Sequence, residues 1–358
     1  MAMLLQYMSG KIGIATGRSM SEIVREKLAT RPRIISYWLA CETFAVATDL
    51  AEFLGVTIGL HLLFRVPLNI SVWIAAFDVI VIFLLAGNKF RRIEFIVATL
   101  VAVIGLGYVY EIFVTGPDPR AILLHSVVPM MPDSRAMLVS VGIIGATVMP
   151  HALVLHSWLT KNKLVTGDVL EKRTLLRYHK IENVINLTIA GLINGAILMM
   201  AAAAFSGLPT NVDTVELAYT TLVPFFGFAA GAVFAITLIA SGISSSTTGV
   251  LAGQSLFEGL LGTRVNPWFR RIVIRGINVI PTAVAINLGL NPLGLLVYSQ
   301  VILSLLIPLP LVPVILFTRD RRLMGEFVNR RATTLVALGF AGVILFFNGF
   351  LLLRLATG

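Results

Sequence analysis

The sequence predicts an all-α polytopic membrane protein, and three observations carry that prediction. Of its 358 residues, 57% are hydrophobic and only 13% are charged, and the mean hydropathy is +0.90. A soluble chain has about 25% charged and about 45–50% apolar residues, so this one lacks the polar residues to cover a water-exposed surface. Apolar runs able to cross ~30 Å of hydrocarbon at ~1.5 Å per residue recur along the chain, and they lack the alternation of a membrane barrel. These features exclude a soluble enzyme, a disordered chain and a nucleic-acid-binding domain, despite a net charge of +10 and a pI near 10.1. The single cysteine, Cys41, excludes an internal disulfide framework and any Cys-cluster metal site.

Residues 1–17 are moderately apolar but short and carry Gln6, Ser9 and Lys11. No basic stretch precedes them, so they do not form a signal peptide; they are expected to be the end of an incomplete membrane helix. Residues 18–33 are expected to form a cytoplasmic loop, and 34–354 a transporter core of about nine spans. The spans fall at roughly 34–63, 69–87, 92–114, 136–158, 181–206, 222–259, 270–288, 292–317 and 332–354. Basic residues concentrate in alternate connections: Arg18 to Arg33, Lys89 to Arg92, Lys161 to Lys180, Arg264 to Arg271 and Arg319 to Arg331. The opposite connections hold only Arg65, Arg120, Arg135 and Arg354. By the positive-inside rule the first set is cytoplasmic, so the net charge needs no nucleic acid, only topology and anionic lipid.

Ionisable residues within spans are rare and costly, so each is a functional candidate. On the 34–63 span, Asp49 and Glu52 lie about 60° apart and Glu42 about 20° from Asp49, so the three carboxyls share one helical face. They line a wet path or meet a cation, for which the 270–288 span offers Arg275, one turn beyond an interfacial pair, Arg270 and Arg271. Two roles fit: an ion pair joining helices, or a carboxylate chain relaying protons. Asp78, on 69–87, has no assignment.

The 136–158 span contains Gly145-Ala146-Thr147-Val148-Met149-Pro150-His151. Pro150 has no N–H and clashes with the Ala146 carbonyl, so a helical hydrogen bond is lost in mid-membrane; Gly145 and Thr147 ease the break. Broken backbone at that depth lines a cavity or is buried in protein, and half-helix ends at the midplane mark transporter sites. The freed Ala146 carbonyl is a candidate cation ligand. Met149 is a packing residue or a soft thioether ligand favouring late transition metals over magnesium and calcium. His151 and His156, about 140° apart on a helix, are poor co-ligands of one ion; they are satisfied buried histidines or serve proton flow. The small polar run 241–254 glues helices. In 292–317, Gln300 ligates through its amide oxygen or hydrogen-bonds between helices.

Ala-Thr-Asp-Leu-Ala-Glu at 47–52, Gly-Ala-Thr-Val-Met-Pro-His at 145–151 followed by His156 and Ser157, Thr-Gly-Val-Leu-Ala-Gly-Gln at 248–254, and Ser299-Gln300-Val301 together resemble the Nramp family of proton-coupled divalent metal transporters. The resemblance runs along essentially the whole chain. It implies a LeuT-type inverted-repeat fold, N-terminally incomplete, because the family's first-helix Asp-Pro-Gly-Asn motif is not in this sequence and residues 1–17 resemble the end of the second helix. It implies metal ligands at Ala146, Met149 and Gln300. It also implies a proton pathway through Asp49, Glu52 and Arg275, and pH dependence linked to His151 and His156. The expected function, in the complete form, is import of Mn²⁺ or Fe²⁺ with H⁺ across the inner membrane, with basic loops cytoplasmic and no cofactor. The alternatives are a LeuT-fold carrier of an organic solute, or a truncated, non-transporting membrane remnant.

Overall fold

The computed structural model describes residues 1–77, 90–128, 130, 134–164, 167–205, 217, 219, 228–263 and 265–357. Its elements are helices: α1 (Ala2–Thr16), α2 (Met20–Leu28), α3 (Arg31–Phe64), α4 (Leu68–Ala75), α5 (Phe90–Thr115) and α6 (Pro119–Val127). Then come α7 (Ser134–Val148), α8 (Pro150–Lys161), α9 (Val169–Phe205), α10 (Phe228–Leu261) and α11 (Pro267–Asn287). Last are α12 (Pro292–Leu306), α13 (Pro308–Arg319), the single turn α14 (Arg321–Met324) and α15 (Arg331–Thr357). With α7–α8 and α12–α13 each counted as one span, seven helices among the described residues are long and apolar enough to cross a membrane. The apolar part of α11, Ile272–Asn287, is shorter. Residues 78–87, 206 and 222–227 of the expected spans, Asp78 among them, lie outside the described residues.

Several boundaries differ from the apolar runs for identifiable reasons. α9 begins at Val169, well before the apolar run at 181, because good helix formers such as Glu171, Lys172 and Arg173 extend it beyond the hydrocarbon. The 292–317 run is divided at Ile307, since Pro308 starts a new helix. Within 18–33, Met20–Leu28 forms a helix opened by a capping box: Glu22 N–H donates to Ser19 Oγ (3.3 Å) and Ser19 N–H to Glu22 Oε2 (2.8 Å).

Packing sets where the functional residues stand. α3 runs through the middle, against α10, α12, α4 and α11. Its crossing with α10 is close because Gly242 faces Val56 and the Glu52 carbonyl, while Gly59 faces Ile239. α7 packs on α12, whereas α8 packs on α1. The α1–α8 seam is polar as well as tight: Ser9 Oγ donates to the Leu153 carbonyl, and Thr160 Oγ1 donates to the Gly10 carbonyl at 2.9 Å. The main core, including Leu5, Met8, Ile12, Phe44, Leu153 and Val314, joins α1, α3, α8 and α13. The outward sides of α5 and α9 expose Phe95, Leu106, Phe113 and Leu192, as lipid-facing helices do.

Candidate functional site

The span expected at 136–158 is two helices with one hinge residue between them. α7 ends at Val148 and α8 starts at Pro150; Met149 has φ 52 and ψ 90. A side chain at positive φ is strained by roughly 1–2 kcal/mol, which the separate anchoring of the two halves sustains. Proline at N1 is pre-set for helix and leaves the Ala146 carbonyl without its N–H donor. Thr147 Oγ1 donates back to the Ile143 carbonyl at 2.7 Å, which loosens the last turn further. Met149 is 36% exposed, so the thioether stands in an accessible place.

Gly145 is where α12 comes closest. A Cβ there would lie 2.8 Å from Ser304 N and would strike the Gln300 carbonyl oxygen. Gly142, one turn earlier, would place its Cβ 3.7 Å from Gln300 Cβ. The structure therefore packs the Gln300 backbone against Gly145 of α7, one residue before Ala146. The Gln300 amide nitrogen lies 3.4 Å from Ser299 Oγ.

On the other side of the break, His151 is buried and its Nδ1 lies 3.0 Å from Thr48 Oγ1. Thr48 Oγ1 donates its one hydrogen to the Phe44 carbonyl (2.8 Å), so its oxygen accepts from His151 Nδ1–H. Asp49, the next residue of α3, points about 100° away from Thr48. It is 3.5 Å from the Arg275 guanidinium and accepts from Asn278 Nδ2 at 2.7 Å. Arg275 also donates to Ser246 Oγ (2.8 Å) and lies 5.2 Å over the Phe53 ring. Glu42 is ion-paired with Arg270. A cavity of about 10 Å³, bordered by Asp49, Gly249 and Arg270, separates the two pairs and is about the size of one water.

Arg275 thus meets Asp49 as its position on α11 suggested. Arg270, expected at the interface, is instead 8% exposed and holds Glu42. It penetrates because Gly253 of α10 leaves room: a Cβ there would strike its guanidinium. Gly249, one turn earlier, faces the Glu52 carboxylate, 3.2 Å from where a Cβ would be. The small residues of 248–254 therefore make slots for charged groups, a role beyond helix adhesion. His156 is directed elsewhere, its ring 5.9 Å from that of His179. Asn278, His179 and Glu111 were not singled out from the sequence. Glu111 is fully buried on α5 and neither of its oxygens has a hydrogen-bond partner among the described residues; a carboxyl in the apolar run of α5 was the available signal.

A split helix carrying a bare carbonyl and a thioether, one contact away from buried acid–arginine pairs, defines a helical membrane transporter of LeuT-type architecture. The chain belongs to the Nramp family: the family described as "Natural resistance-associated macrophage protein-like" matches residues 1–354. It is 44% identical over 353 residues to the divalent metal cation transporter MntH of Verminephrobacter eiseniae, covering 99% of this chain and 79% of that protein. With the MntH of Granulibacter bethesdensis it shares 42% identity, with the same 99% and 79% coverage. The crystal structure of the Eremococcus coleocola manganese transporter, in complex with an aromatic bis-isothiourea substituted compound, superposes with a TM-score of 0.86 at 29% identity. That match covers 98% of this chain and 76% of that one.

Proposed function

We propose that this chain moves Mn²⁺ or Fe²⁺ with protons into the cell across the inner membrane, with its basic loops cytoplasmic. The related proteins are named as divalent metal cation transporters, and the solved one as a manganese transporter. Ala146, Met149 and Gln300 are the proposed metal ligands. The observation that carries the reading is the accessible Met149 at the Val148–Pro150 break, with Gln300 packed against Gly145 just before it. A carbonyl, an amide oxygen and a thioether suit a borderline-soft divalent ion better than magnesium or calcium. An organic solute has no use for the sulfur.

Protons are proposed to travel by Asp49, Glu52, His151, His156 and Arg275, to which the geometry adds Glu42 and Arg270. Thr48 links the break to the acids, since its hydroxyl contacts His151 and it precedes Asp49 in the chain. Uptake of radiolabelled manganese against labelled amino acids, in cells expressing the natural protein at outside pH 5.5 and 7.5, tests the reading. Saturable, acid-stimulated manganese uptake is expected; amino-acid uptake without manganese uptake would overturn it.

A further inference from the structure

Asn278 of α11 is buried and belongs to none of the groups proposed to carry protons. Its amide nitrogen lies 2.7 Å from Asp49 Oδ2 and 3.3 Å from the Val46 carbonyl oxygen. Val46 and Asp49 are three apart on α3 and share a face, so one side chain clasps the turn of helix that carries the acid. A backbone carbonyl only accepts, so the atom facing Val46 is the nitrogen, and the orientation of the amide is settled. The two acceptors account for its two hydrogens. The other oxygen of Asp49 is held differently. Oδ1 is 3.5 Å from the Arg275 guanidinium, a charge contact longer than the about 2.7–3.2 Å of an N–H···O bond. The same guanidinium nitrogen donates to Ser246 Oγ at 2.8 Å.

The two oxygens therefore differ toward a proton. A proton on Oδ2 sets an O–H against the Asn278 N–H, donor against donor. A proton on Oδ1 leaves that bond in place and removes only the charge that draws Arg275. We propose that Asn278 is a positioning residue for proton exchange at Asp49: it occupies Oδ2, directs the proton to Oδ1, and holds the carboxyl in place while the contact with Arg275 is made and lost. The proposal rests on the reading of Asp49 as a proton carrier. The proton comes from water, and no other reactant is needed. A donor to a carboxylate favours its charged form, so Asn278 also sets how acidic the medium must be before Asp49 is protonated. The charged groups around Asp49 are Arg275 and, across the water-sized cavity, Arg270, both on α11, with Glu42 and Glu52 on its own helix. His151 of α8 meets Thr48, on another side of α3. α4 and α12 bring no charged residue, and α10 brings only Glu258, near its C-terminal end.

Infrared difference spectra test this in lipid nanodiscs, with no transport required. The natural protein minus Asp49→Asn isolates the Asp49 carboxyl and gives the pH at which its carboxylate band turns into an acid band. Asn278→Leu and the smaller Asn278→Val remove both donors, and each is compared with its own Asp49→Asn double variant. Both are expected to raise that midpoint by about one pH unit, a tenfold change in proton concentration. The acid dependence of manganese uptake should move with it. A merely structural role lowers the yield of folded protein and leaves the midpoint where it was, so an unchanged midpoint in either variant overturns the proposal. The natural protein supplies a second reading that needs neither variant. At low pH its acid C=O band should lie where a hydrogen-bonded carbonyl absorbs, because Oδ2 keeps its donor; the band of a free C=O overturns the proposal. A raised midpoint in the variants, with no manganese uptake by the natural protein, removes the transport reading alone. Acid-stimulated uptake with an unmoved midpoint removes this proposal alone.

Discussion

At the break, Met149 is 36% exposed and the candidate ligands are neutral; on α3 and α11, Asp49, Arg270 and Arg275 are each 8% exposed or less. The first region is built from backbone: a left-handed methionine, a proline and a carbonyl without its usual donor. The second is built from charge, packed under Gly249 and Gly253 and tied by Asn278 and Ser246. The difference separates two tasks. On the proposed reading, the break is where the ion is admitted and released, and the buried, paired region is where protons are handled. The Thr48–His151 contact joins α3 to α8, so perturbing either region tells how far they act independently.

The largest effect is expected from Arg275→Ala. It leaves Asp49 buried beside Asn278 without its cation, which costs about 3–5 kcal/mol. Thermal unfolding in nanodiscs should show a clear loss, and adding Asp49→Asn should restore part of it. If Arg275→Ala alone costs under about 1 kcal/mol, the pair is solvated and the closed region is not closed.

Asp49→Asn alone should abolish or uncouple proton movement while metal binding stays measurable, since Asn keeps the volume and cannot release a proton. A pH-sensitive dye in proteoliposomes, read beside a manganese isotherm, checks both halves. Unaltered proton flux would make Asp49 a structural partner of Arg275.

Met149→Ala acts on the other region. It leaves an all-oxygen shell, so discrimination against Ca²⁺ and Mg²⁺ should fall more than manganese uptake does. A competition assay reads the ratio; unchanged exclusion of both ions would mean that the sulfur is not a ligand.

The membrane class and most helices were legible because hydrocarbon demands long apolar runs. The helix break was legible because Pro150 lacks an N–H. That Met149 would take the left-handed conformation was not, since it depends on α7 being held by α12 and α8 by α1. Arg275 pointed to its partner because it is one turn inside the span. Arg270 misled: its sequence neighbours are Arg271 and the loop, and only Gly253 on another helix shows that it enters. Asn278 and His179 carry no sequence signal by themselves, because an amide or imidazole acquires a partner only through packing.

The smallest effect tests whether α8 is tethered at its far end by charge. Glu22 of α2 is 2.6 Å from Lys161, the last residue of α8, with the two side chains 27% and 17% exposed. Burial pushes the Glu22 carboxyl up, but the Lys161 hydrogen bond and those from Ser19 outweigh it and hold its pKa below the ordinary value. A carboxyl whose folded pKa is depressed adds stability above its unfolded pKa, near 4.3, and loses that contribution as pH falls through the folded value. Glu22→Gln should therefore cost under about 1 kcal/mol at pH 7, as a partly exposed pair does. The gap between the variant and the natural protein should narrow from pH 5 downward. Hydrogen exchange of the α8 amides across that range gives the measure, because loosening of α2 exposes the Lys161 end first. A pH-independent gap would assign the cost to altered local packing around residue 22 rather than to the ion pair, since glutamine keeps the capping box. The far end of α8 would then be held by neutral bonds, as its near end is by Thr48, and the contrast between the open and the charged region would stop at α3.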